Sequence, residues 1–84
     1  MKLKFYSDPG HAWLSVSRKT LEKYVDPKEI STYSYQRKDQ VFLEEDCDAS
    51  KFLAALRKAG VTYSFVESNT NRYSKIRNYA NFTA

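Results

Sequence analysis

Among the 84 residues there is one cysteine, one histidine and one tryptophan, with only two glycines and two prolines. A lone Cys47 excludes an intramolecular disulfide, so a disulfide scaffold is ruled out and a reducing compartment is expected. So few Gly and Pro argue against a long disordered region. No stretch approaches the roughly 20 apolar residues that a bilayer-spanning helix needs, and no membrane role is expected. The opening Met1-Lys2-Leu3-Lys4-Phe5-Tyr6 lacks the apolar run of roughly 7–15 residues found in secretory signals, and Asp8-Pro9-Gly10 would break one. No strong metal, nucleotide or catalytic motif is present. No cofactor and no catalytic residue is therefore expected.

What is present suffices for one domain over residues 1–84. The apolar share is 42%, and 15% of the residues are aromatic, enough for a single core. The formal charge of +4 is a mild bias, but its distribution is uneven. Residues 1–42 carry eight basic and five acidic side chains, residues 43–69 three and five, and residues 70–84 three basic and none acidic. An acidic middle and a basic tail point to a polar partner.

Alternation in Lys2–Tyr6 and again in Ala12–Val16 predicts a hairpin turning at Asp8-Pro9-Gly10. Leu3, Phe5, Ala12, Leu14 and Val16 face inward in this reading, and His11 and Trp13 face outward. Ser17 is placed to cap a helix over about 18–25, with Leu21, Tyr24 and Val25 on its apolar side and Asp26-Pro27 as its stop. Thr32–Gln36 and Gln40–Glu44 predict a second hairpin through Arg37-Lys38-Asp39, with Tyr33 and Tyr35 on one side. Asp48 is placed to cap a second helix with the stripe Phe52, Leu53 and Leu56, ended by Gly60. Val61–Glu67 predicts a strand, and Tyr73–Tyr79 a short helix aligning Tyr73, Ile76 and Tyr79. The order ββαββαβ with a C-terminal helix gives an α+β two-layer sandwich on a mostly antiparallel sheet.

Three regions are candidates for function. His11 and Trp13 on the outer hairpin face form a contact anchor if exposed, because an indole offers a large area for little lost freedom. The alternative is that the C-terminal segment folds over this face and buries it. The run Glu44-Glu45-Asp46-Cys47-Asp48 fits a helix N-terminus, where carboxylates meet the positive end of the dipole. A divalent cation site or mimicry of a phosphate are its other readings, although consecutive acids do not match a calcium loop. Cys47 beside a helix start favours a thiolate, whereas four neighbouring carboxylates disfavour it. Arg72, Tyr73, Lys75, Arg77 and Tyr79 interleave cations with rings that stack on unpaired bases. The same spacing also describes an ordinary amphipathic helix.

The segments Asp8-Pro9-Gly10-His11-Ala12-Trp13-Leu14, Tyr33-Ser34-Tyr35-Gln36, Phe42-Leu43-Glu44-Glu45-Asp46-Cys47-Asp48-Ala49 and Ser74-Lys75-Ile76-Arg77-Asn78 resemble a family of small bacteriophage and prophage proteins. That resemblance implies a setting, the cytoplasm of a host cell, and no mechanism. Small phage proteins often bind and block host enzymes or defence systems, and this sets the first expectation by analogy. It is a non-enzymatic binding protein whose partner is a host protein or defence complex. His11, Trp13, Tyr33 and Tyr35 are its expected contacts, and Glu44, Glu45 and Asp46 its charged rim. The second expectation is a nucleic-acid-binding protein using the basic, aromatic tail. The third is a small enzyme or nucleotide-binding protein using His11, Cys47 and the acidic cluster, which requires those groups to converge on a concave surface. Exposed sheet edges would also permit a homodimer.

Overall fold

The first hairpin is built around the carboxylate of Asp8. Its Oδ1 accepts the backbone N–H groups of Gly10 and His11, each at 3.0 Å, and so closes the turn between β1 (Lys2–Ser7) and β2 (Ala12–Ser17). The computed structural model describes residues 1–84. Antiparallel pairing sets Tyr6 opposite Trp13 and Phe5 opposite Leu14. Ser17 then ends β2 and caps α1 (Arg18–Tyr24), its hydroxyl accepting from the Thr20 amide. A single 3₁₀ turn over Pro27–Glu29 follows.

The second hairpin is shorter than its sequence predicts. Strand β3 spans only Tyr35–Arg37 and pairs with β4 (Gln40–Glu44), which in turn pairs with β2. Residues 32–34 leave the ladder because Ser31 and Ser34 turn their hydroxyls toward Asp48. Tyr33 therefore does not share a strand face with Tyr35.

Helix α2 (Ser50–Lys58) is present, but Asp48 is not its cap. Glu44 takes that role one turn earlier, its Oε2 accepting from Asp46 N and Cys47 N at 2.9 Å each. Residues Glu45–Ala49 form a wide π turn leading into the helix. That turn swings Asp48 inward, where Ser31 N, Ser31 Oγ and Ser34 Oγ supply the donors a buried carboxylate needs. At the far end Gly60 adopts φ 74°, and Val61 N–H reaches Leu56 O while Gly60 N–H reaches Arg57 O. This pair of bonds closes the helix in a Schellman motif.

The chain then crosses to the far side of β1 and lays down β5 (Ser64–Asn69) parallel to it. A two-residue strand β6 (Ala80–Asn81) closes the opposite edge against β3. The sheet order is β5-β1-β2-β4-β3-β6, mixed because the β1–β5 pair is parallel. Both helices lie on one face, so the molecule is the expected α+β two-layer sandwich. Leu14, Leu21, Leu43, Phe52 and Leu56 fill the core between the layers, and Phe82 joins them from the C-terminus. Neither helix is long and apolar enough to cross a membrane.

Candidate binding site

The sheet face away from the helices is aromatic, as alternation requires. Cross-strand partners place Tyr6, Trp13 and Glu44 in one row and Ser15, Phe42 and Tyr35 in the next. Left bare, this face would expose a large apolar patch. The C-terminal segment covers part of it instead. Lys75–Asn78 makes one 3₁₀ turn capped by Ser74, in place of the expected Tyr73–Tyr79 helix, and drives Ile76 against Trp13 and Phe42. Tyr79 packs beside them, whereas Tyr73 stays 81% exposed.

Asp8 holds this cover in place. Its Oδ2 accepts from Ser74 N at 2.9 Å and from Arg77 Nε at 2.7 Å, and its Oδ1 accepts from Arg77 Nη2 at 2.8 Å. The Arg77 bonds pull the Asp8 carboxyl far below the usual carboxylate range despite its burial, and raise the Arg77 guanidinium in return. A Cβ at Gly10 would sit 2.8 Å from Arg77 Nη2, so the glycine leaves room for this approach. The guanidinium also lies 4.5 Å from the Tyr73 ring and 5.7 Å from the Trp13 ring.

The expectation of an exposed Trp13 anchor is therefore corrected: the indole is 1% exposed, sealed under Ile76 and Arg77. Glu44 is likewise buried rather than part of a charged rim, because it is spent capping the helix turn.

Beside the sealed indole lies an open hollow of about 390 Å³. It is lined by His11, Trp13, Tyr33, Tyr35, Glu44 and Asp46, together with Thr32, Cys47, Arg77 and Asn81. Six of the seven residues expected to make contacts meet here, and Glu45 does not line it. Tyr33, 68% exposed, is the most accessible of its rings. Thr32 and Asn81 escaped the sequence reading. They meet through Asn81 Nδ2 donating to Thr32 O at 2.8 Å, a contact that depends on the unforeseen strand β6. Trp13 Nε1 is the one buried side-chain polar atom without a hydrogen-bond partner.

The electrostatics of the hollow are acidic. Arg77 lines it, but its charge is committed to Asp8. Neither Glu44 nor Asp46 pairs with Lys or Arg; the nearest cationic candidate is His11, whose Nδ1 lies 3.9 Å from Glu44 Oε1. Burial, then repulsion from Asp46 and Glu44, pushes the Glu45 carboxyl up. Burial, followed by a hydrogen bond to Glu44, pushes the Cys47 thiol up. His11, Cys47 and Glu44 thus do converge on a concave surface, but the sulfur is held as a thiol and not as a nucleophilic thiolate. No group of three or more His, Cys, Asp or Glu is arranged to hold a metal ion.

The five tail residues considered for nucleic acid do not form one surface. Arg77 belongs to the acidic hollow, Lys75 and Tyr79 face a different one, and Arg72 and Tyr73 line neither. No protein-family model, curated protein or solved structure matches the chain.

Proposed function

We propose that this chain is a non-enzymatic binding protein that holds a cationic side chain of a partner protein in the acidic hollow. One observation carries the reading: Tyr33 and Tyr35 line the same hollow as the exposed Asp46 and the buried Glu44, and no Lys or Arg forms an ion pair with either acid. Aromatic faces and carboxylates together favour Arg, Lys or a methylated ammonium, since the rings attract a cation that the acids also attract. The phage resemblance contributes the setting, in which the partner is a host protein or defence complex and capture blocks it. A cysteine-based enzyme fits less well, because burial and Glu44 keep the Cys47 thiol protonated.

The test is an NMR titration with short glycine-flanked peptides carrying one Arg, Lys, trimethyl-lysine or Gln. The cationic peptides are expected to shift the resonances of His11, Tyr33 and the Trp13 indole, and the Gln peptide to leave them in place. Asp46→Asn is expected to weaken binding about threefold to tenfold, the range of a partly solvated charge contact. Equal binding of the Gln peptide would remove this reading.

A further inference from the structure

The covering segment divides the outer face, and a second hollow of about 500 Å³ lies beyond it. Its chemistry is opposite to that of the first. Tyr6, Phe42 and Tyr79 give it an aromatic floor, with Phe42 centred 5.2 Å from Tyr79 and 6.2 Å from Tyr6. Arg37, Lys38 and Lys75 bring three cations to it, all on exposed residues and none in an ion pair with a carboxylate. Asp39 is the one acid among its lining residues, so the charge surplus is positive. The Arg37 guanidinium rests 5.4 Å from the Tyr79 ring centre, which keeps the charge beside the stacking surface.

Lys38 strengthens the case from the backbone. It adopts φ 54°, the only non-glycine residue of the chain at positive φ. Left-handed backbone is unfavourable for a residue with a side chain, and Gly or Asn would relieve it. The turn therefore has no conformational need of a lysine, and its charge is available to the hollow it lines.

From this juxtaposition we infer that the second hollow binds single-stranded nucleic acid, with a base stacked on the ring of Tyr6 or Tyr79, which flank the buried Phe42, and backbone phosphates on Arg37, Lys38 and Lys75. Unpaired bases present free faces to such rings, whereas a duplex keeps its bases stacked on each other. The cations come from two separate elements, the β3–β4 turn and the tail, and flank the floor. No glycine-rich loop gathers amides around a single phosphate, which sets the site apart from a mononucleotide cradle. The inference is independent of the cation-binding hollow, and two of its three cations lie outside the basic tail singled out in the sequence.

The experiment is fluorescence anisotropy with a labelled oligothymidylate of about twelve nucleotides, a length in the range one small domain occupies. Binding is expected at roughly 50 mM salt, with a slope of log K against log salt near −2, since about 0.7 counterions leave per neutralised phosphate of a single strand. Lys38→Gly with Lys75→Ala is expected to weaken binding on the order of tenfold and flatten that slope. The Lys38→Gly change itself suits the turn, so loss of fold does not explain the result, and circular dichroism checks this. Asp46→Asn is expected to leave the affinity unchanged, which separates this site from the acidic hollow. Absence of binding at low salt, or an unchanged affinity in the double variant, would overturn the inference. So would equal affinity for a duplex of the same length, or thymidine monophosphate competing on equal terms with the oligomer.

Discussion

Asp8 grips Arg77 at two points across 69 positions of sequence, with Nε at 2.7 Å and Nη2 at 2.8 Å from the two carboxylate oxygens. The same carboxylate shapes the β1–β2 turn, so one buried side chain both closes the first hairpin and fastens the last segment over Trp13. Both hollows flank that segment. The latch therefore shapes each of them.

Asp8→Asn is expected to loosen the cover without dismantling the sheet. Asparagine keeps an oxygen for the turn amides but loses the charge that holds the guanidinium. Trp13 is the only tryptophan, so its emission should shift to the red as water reaches it. The melting temperature should fall by on the order of 5–10 °C, given the sensitivity of a domain this size. The pH dependence has a definite sign. Because Arg77 holds the folded carboxyl below its unfolded value, the contribution is complete above about pH 4 and is lost as pH falls further. Thermal melts of both proteins at about pH 7 and about pH 3 should show a smaller acid loss in the variant. Unchanged emission and melting in Asp8→Asn would mean that the cover is held by packing alone.

Asp48 tests how much the second helix depends on a buried acid. Burial opposes its ionisation, but donors from Ser34 and Ser31 and the charge of Lys51 outweigh that and keep it below the ordinary range. Asp48→Ala leaves the buried Ser34 O–H and the Ser31 donors without their acceptor and should cost about 3 kcal/mol in urea unfolding. Asp46→Ala, two residues away and exposed, should stay within about 0.5 kcal/mol. Equal effects at the two positions would place the acidic run on the surface as a whole, contrary to the geometry.

These two aspartates mark where the sequence was legible and where it was not. Strand alternation assigned Trp13 to the outer face, and local capping chemistry assigned Ser17 and Gly60 correctly. Each of those depends on residues within a few positions. The cover over Trp13 depends on Ser74 and Arg77, 66 and 69 positions from Asp8, and no local pattern carries such a contact. An acid just before a helix ordinarily caps it, and Asp48 stands at such a position. The π turn shifted that job to Glu44, and only the donors of Ser31 and Ser34 reveal what Asp48 does instead. The acidic hollow gathers six of the seven expected contact residues, and the seventh, Glu45, does not line it. The basic hollow needed the β3–β4 turn brought beside the tail, which sequence spacing does not encode.

Cys47 gives the most direct reading of the acidic hollow's electrostatics. Its thiol lines the hollow and is half-buried, so a small alkylating reagent can reach it. Burial comes first and the Glu44 hydrogen bond second in raising it, with Asp48 and Asp46 adding repulsion. A thiol raised in the folded state binds its proton more tightly there than in the unfolded chain. The stability it contributes is present below the ordinary thiol value of about 8.5 and declines as pH climbs beyond it. Iodoacetamide should therefore modify the native protein more slowly than a cysteine peptide at about pH 8, with the rate profile displaced to higher pH. Glu44→Gln keeps an oxygen for the Asp46 and Cys47 amides while removing the charge, so it should move the profile part of the way back. The recovery is partial because burial remains. If native Cys47 reacts as fast as the peptide, the carboxylates around it are screened by solvent, and the hollow lacks the negative field that a cationic guest requires.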